Sequence, residues 1–289
     1  MYIAIAWGMQ VWLGRAFLIA VLVVGCTASQ ERAQTSEPER RLASAVSLDA
    51  VFTPPSPDSI PGDQRGEDIR LGYDLVVRTQ EYAKPYVGNA LTCTNCHLDA
   101  GLDPNAISYV GLSRVYPEYR ARAGRMVTLA DRINECFERS LNGRALPEDS
   151  HKLRAIVAYI EWLSGDVPKD SRIEWRGLSR IQSSRTPDPA NGKKLFGARC
   201  AFCHGADGQG SVVAPPVWGP RSFNIASGMA RVSVAASFIK ANMPRTRGWA
   251  LSDDEAYDVA AFITSQPRPD FPDKANDWPK GGKPADSPY

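Results

Sequence analysis

The sequence predicts an all-α protein of two small domains in tandem, and three observations carry that expectation. The pentapeptide Cys-x-x-Cys-His occurs twice, as Cys93-Thr94-Asn95-Cys96-His97 and as Cys200-Ala201-Phe202-Cys203-His204. Apolar residues recur at helical spacing around both copies, and no alternating strand pattern competes with them. A length of 289 residues suits two domains better than one. In each pentapeptide the two thiols form thioethers to a haem and the histidine binds its iron. Helix, motif, long loop and closing helix is the plan of a class I cytochrome c domain. Two such domains and two covalently bound haem c groups are therefore expected.

Taken in order, residues 1–26 have the form of an export signal. Arg15 precedes the apolar run Ala16 to Val24, and Val23-Val24-Gly25-Cys26 resembles the lipobox at which a bacterial lipoprotein is cleaved and acylated. An uncleaved membrane anchor is the competing reading, although Gln10 and Arg15 interrupt the apolar span. Either way the body sits outside the cytoplasm, where haem c is attached. A periplasmic protein, anchored by lipid at Cys26, is expected. Residues 27–61 are polar and proline-rich, a tether for the anchored domains.

The first cytochrome domain is expected over 62–165. Ile69, Tyr73, Val76 and Val77 mark its opening helix, and Leu153, Ile156, Val157 and Ile160 its closing helix, which stops before Gly165. Residues 166–187 form a polar linker. The second domain, 188–266, opens with Asp188 as a helix cap and Pro189 in the first turn. It closes with the capping box Ser252-Asp253-Asp254-Glu255, which leads into Ala256, Val259, Ala260 and Ile263. The tail, 267–289, is rich in Pro, Lys and Asp, and is expected to wrap the surface or stay disordered.

Six cysteines might suggest three disulfides, but four belong to haem and Cys26 to the lipobox. That leaves Cys136. It follows His97 by 39 residues, and Met243 follows His204 by the same 39. In single-haem cytochromes c a methionine before the closing helix is the second axial ligand, which makes Met243 the leading candidate for the second haem, ahead of Met229. By the repeat, Cys136 stands where the first domain would carry its methionine. The other candidates for that iron are Met126, more often a core residue at such a position, and His151, which reads as a solvated surface histidine. A buried free cysteine is commonly only a small hydrophobe, but this one has no disulfide partner in the body of the chain.

Around Cys136 the helical pattern places Leu129, Ile133, Phe137 and Leu141 in one apolar row. Arg132, Cys136 and Ser140 form the adjacent row, and Glu135 and Glu138 are expected to face solvent. Arginine is dense nearby, at positions 114, 120, 122, 125, 132, 139 and 144, against Glu118, Asp131, Glu135 and Glu138. Guanidinium binds oxyanions through a planar fork, so an anionic substrate near the first haem is expected. The overall formal charge of +2 and the lack of interleaved aromatics exclude nucleic acid as a partner.

Two stretches carry a resemblance to a known family. The first is Tyr116-Pro117-Glu118-Tyr119-Arg120-Ala121-Arg122, followed by Thr128-Leu129, Arg132-Ile133, Cys136, Arg139-Ser140 and Asn142-Gly143. The second is Pro215-Pro216-Val217-Trp218-Gly219-Pro220, Ser222-Phe223-Asn224, Gly228-Met229 and Phe238-Ile239-Lys240-Ala241-Asn242-Met243-Pro244. Together they resemble the dihaem thiosulfate dehydrogenases over about 62–267. The resemblance implies oxidation of two thiosulfates to tetrathionate, in some members preferentially the reverse. It implies His97/Cys136 ligation at the active-site haem and His204/Met243 at the other. By motif position Arg122, Arg132 and Ser140 would line the substrate pocket, with Lys240 near the inter-haem region. The implied electron acceptor is a soluble or membrane-associated cytochrome or another high-potential carrier. Some members have a lysine directly before the methionine; Asn242 stands there here, which argues against a ligand switch. The competing readings are a haem subunit of Sox type and a plain dihaem electron carrier with Met126 on the first iron.

Overall fold

A computed structural model of the chain describes residues 50–289; the export signal, the lipobox at Cys26 and the tether as far as residue 49 lie outside the described residues. The first domain is built on α1 (Gln64–Val77) crossing the closing helix α3 (His151–Leu163). The crossing is close because α1 has a glycine at the contact. A Cβ on Gly72 would come within 2.1 Å of the Ala155 carbonyl oxygen. Below the crossing, Ile69, Leu75, Val76, Leu153, Ile156, Tyr159 and Ile160 are buried together.

The second domain repeats the device. Helix α4 (Pro189–Arg199) crosses α6 (Asp253–Thr264), and a Cβ on Gly192 would come within 1.9 Å of the Asp258 carbonyl oxygen. Both start signals act as the sequence suggests. The Asp188 side chain accepts from Ala190 N–H at 2.8 Å, and Ser252 and Glu255 cap one another's N–H groups. Phe196, Trp218 and Phe262 stack in the core beside α5 (Val232–Asn242).

One feature departs from the all-α expectation in detail. Residues Glu118–Arg120 (β1) and Arg125–Val127 (β2) form a two-stranded antiparallel hairpin, with Tyr119 opposite Met126. Three-residue strands are too short to leave an alternating pattern in sequence. The hairpin leads directly into α2 (Leu129–Arg139), the helix of Cys136. That helix is started by a reciprocal cap between Thr128 and Asp131, with Arg125 holding Asp131 from the hairpin side.

The tether's described end is docked, not loose: Phe52 packs edge-on against Trp175 of the linker, at 5.1 Å between ring centroids. The linker in turn is bound to the first domain, with Trp175 donating to the Val110 carbonyl at 2.8 Å. The two domains share an interface. Phe223 and Ala230 of the second lie in the core of the first, and Asn224 donates to the Glu138 carbonyl. The tail, finally, follows the wrapping alternative. Its Asp277 and Trp278 contact the first domain and its Asp286 the second, while Tyr289 donates back to Asp277 within the tail.

Candidate active site at the first cysteine pair

The segment after Thr92 turns tightly, so that Cys93, Cys96 and His97 line one cavity. His97 Nδ1 lies 2.7 Å from the Ile107 carbonyl oxygen. A carbonyl can only accept, so Nδ1 carries the proton and Nε2 is left as the metal-binding atom. Burial, ahead of every other cause, lowers the His97 pKa to about 4. The Tyr109 ring lies against the imidazole at 4.4 Å and is seated on Gly101, whose φ of +87° a side chain would resist. Burial pushes the Cys93 thiol up to about 11 and that of Cys96 to about 12. The cavity holds about 1130 Å³ with its mouth and is walled by Leu91, Leu129, Ile133, Phe137, Ile156 and Ile160. An apolar slot with two thiols and an imidazole freed at Nε2 fits a haem c.

Cys136 lines that same cavity, as do Arg132 and Ser140. Arg132 Nη1 donates to Cys136 Sγ at 3.1 Å. The Cys136 sulfur, ahead of Glu135, raises the arginine's pKa against the opposing effect of burial, so the guanidinium stays charged. Ser140 Oγ is 3.1 Å from Ser227 Oγ of the second domain, which fixes it at the domain interface. The other candidates for the first iron lie elsewhere. Met126 is exposed on β2, not in the core, and His151 lies at the start of α3, 2.7 Å from Asp68.

At the second pair, His204 Nδ1 is 2.8 Å from the Pro215 carbonyl oxygen, which again frees Nε2. Met243 packs against the core of the second domain and Met229 against that of the first, and both meet a small cluster of Leu98, Ala106 and Phe238. Phe202, Val212 and Val213 are exposed large apolar residues in the same part of the sequence. These residues also fit a haem c.

Arg122 is placed in a second cavity that borders the first. Its Nη1 donates to the Ala226 carbonyl, its guanidinium stacks on Trp278 at 4.8 Å, and Asp277 is 3.8 Å away. The two cavities share Arg120, Arg132 and Ser140 as lining residues, so the cavity of Cys136 and that of Arg122 are neighbours. Glu135 is on this wall too, 3.5 Å from Arg132, instead of facing solvent. Lys240 lies apart, near the end of α5, bonded to the Leu251 carbonyl and 3.2 Å from Asp253. Asn242 is buried and spans the domains, donating to the Asn105 carbonyl at 3.0 Å.

The tail is what sequence reading missed. The Asp277 side chain, 4 % exposed, accepts from both Nη1 and Nη2 of Arg139 at 2.8 Å, and Tyr289 O–H donates to it. Trp278, Gly282 and Pro284 complete the wall of the second cavity. Three aromatics, Phe271, Trp278 and Tyr289, in an otherwise polar terminus are the available signal, because disordered tails are poor in them.

Comparison with known proteins agrees with this architecture. Residues 79–168 match the family "SoxA/TsdA, cytochrome c domain", and residues 187–263 match "Cytochrome C oxidase, cbb3-type, subunit III". The thiosulfate dehydrogenase of Psychrobacter arcticus is 43% identical over 238 residues, 80% of this chain and 73% of that one. The thiosulfate dehydrogenase of Allochromatium vinosum is 43% identical over 237 residues, 78% of this chain and 88% of that one. The solved thiosulfate dehydrogenase (TsdBA) of Marichromatium purpuratum superimposes with a TM-score of 0.73 at 38% identity, over 83% of this chain. This chain spans about half of that solved one, 53%. By these identities and coverages, the chain belongs to the dihaem thiosulfate dehydrogenase family, and it carries two cytochrome c domains in tandem.

Proposed function

We propose that this chain oxidises two thiosulfates to tetrathionate at Cys136. The observation that carries the reading is the Arg132 guanidinium 3.1 Å from the Cys136 sulfur, in a cavity that shares Arg120, Arg132 and Ser140 with a neighbouring arginine-lined one. His97 and Cys136 would hold one haem iron, and His204 and Met243 the other. When bound, the two haems take up electrons singly and relay them to an external cytochrome or similar acceptor.

The protein's own task is electrostatic. Two thiosulfate dianions about 5 Å apart repel by about 3 kcal/mol in bulk water and about 13 at an effective dielectric of 20. Arg132, which lines both cavities, and Arg122, which lines the second, supply compensating charge, and Ser140 can donate a hydrogen bond. Covalent capture lowers the repulsion further. The Cys136 thiolate and the outer sulfur of one thiosulfate form an S–S bond with loss of two electrons, giving a cysteinyl thiosulfonate with one negative charge. The outer sulfur of the second thiosulfate then attacks the sulfur bonded to Cys136. Tetrathionate forms, and the Cys136 thiolate leaves with the electron pair of the broken bond. Charge balances in both steps.

Haem c attachment implies work outside the cytoplasm, and the lipobox at Cys26 implies a lipid anchor there. Anaerobic turnover of purified holoprotein tests the function. Thiosulfate should reduce ferricyanide with one tetrathionate formed per two ferricyanides consumed; no thiosulfate-dependent reduction would exclude the reading.

A further inference from the structure

Tetrathionate carries a sulfonate at each end, so a site that joins two thiosulfates needs a place for each. Arg132 serves the end nearest Cys136. The chamber beyond it holds about 1070 Å³ with its mouth, and Arg231 lines this chamber but not the cysteine cavity. Arg231 is the residue immediately before α5, on the second domain.

Its position is fixed from behind. Asp286, in the C-terminal strap, accepts from Arg231 Nε at 2.7 Å and from Ser233 N–H, in the first turn of α5, at 3.0 Å. Asp286 is not on the chamber wall, and neither is Asp277, which holds Arg139 in the same way. The carboxylates thus stand outside while the guanidiniums they orient border the space. Among the described residues Glu135 is the one acid on the wall, and it is already paired with Arg132. Arg231 Nη1 has no hydrogen-bond partner among the described residues, which leaves donors for a ligand. The strap's Trp278, Gly282 and Pro284 line the same space, so Arg231 borders a half-open cleft.

We propose that Arg231, oriented by Asp286, is the distal anion subsite of the chamber. It takes the sulfonate of the second thiosulfate before the joining step and the far sulfonate of tetrathionate after it. This rests on the proposed oxidation of thiosulfate at Cys136 and adds to it the place where the second substrate waits.

The test is equilibrium binding of tetrathionate, by calorimetry, to oxidised holoprotein of the parent, Arg231→Gln, Arg231→Lys and Arg78→Gln. Arg78 lies on the exposed surface just after α1, outside the chamber, and controls for loss of one charge. Each variant is compared at equal haem content and with an unchanged visible spectrum. Loss of a charge-assisted hydrogen bond should weaken binding about tenfold in Arg231→Gln. Arg231→Lys should recover most of that loss, and Arg78→Gln should match the parent. In turnover, Arg231→Gln should raise KM for thiosulfate with kcat nearly unchanged. Parent-like tetrathionate affinity in Arg231→Gln would overturn the subsite, as would equal weakening in Arg78→Gln. A parent that binds tetrathionate but never oxidises thiosulfate would instead overturn the functional reading, while the variants' binding would still decide the subsite.

Discussion

Arg132 donates to the sulfur of Cys136 at 3.1 Å, one helical turn apart on α2, inside the cavity of the first cysteine pair. A charged donor to sulfur at that distance contributes about 1.5–3 kcal/mol, so Arg132→Gln should lower kcat/KM roughly 10- to 100-fold. Arg132→Lys should fall between, because it keeps the charge but not the planar fork. Steady-state kinetics at matched haem content checks both.

The helix that carries Cys136 is pinned at its start by Asp131, and this gives a pH dependence. The hydrogen bond from Arg125, as the largest cause, holds the Asp131 carboxyl down at about 2. A carboxyl depressed in the folded state stabilises above its unfolded pKa of about 4 and loses that contribution as pH falls through about 2. Asp131→Asn should therefore be less stable than the parent near neutral pH, and the difference should vanish below about pH 2. Thermal unfolding across a pH series is the measurement.

The helix crossings predict a reversal of an ordinary rule. Alanine usually stabilises a helix over glycine by about 1 kcal/mol. At Gly72 and Gly192 the added methyl would meet backbone carbonyls of the crossing helix, which cannot rotate away. Gly72→Ala and Gly192→Ala should each destabilise their domain by about 1–3 kcal/mol. Gly197, on α4 with open space beyond it, is the control, and Gly197→Ala should stabilise. Denaturant midpoints of the four proteins would show the pattern.

The tail makes a further prediction. Asp277 is buried against Arg139 in a bidentate pair, and deleting one member strands the other's charge. Asp277→Ala should cost about 3 kcal/mol in stability. It should also raise KM, since Arg122 and Arg139 both lose the carboxylate beside them. Chemical denaturation and initial rates test the two halves separately.

How much of this was legible in sequence differs by element. The haem motifs, the caps at Asp188 and Ser252, and the row Arg132–Cys136–Ser140 could all be read, because each depends on residues within two or three turns of one another. The hairpin could not, because three residues per strand leave no period. The helical wheel alone points Glu135 to solvent. The second domain closes over that face of α2 through Ser227 and Asn224, which no local pattern encodes. The tail's role was hidden for the same reason. Its partners, Arg122, Arg139 and Arg231, lie 55 to 155 residues upstream of the carboxylates they meet, and only the packed fold brings them together.

Cys136 decides the account as a whole. The most direct measurement is anaerobic turnover of thiosulfate with ferricyanide by Cys136→Gly holoprotein, with covalent haem verified by mass at Cys93, Cys96, Cys200 and Cys203. The account predicts that both haems remain attached and tetrathionate formation is lost. Near-parent turnover by the same variant would contradict it.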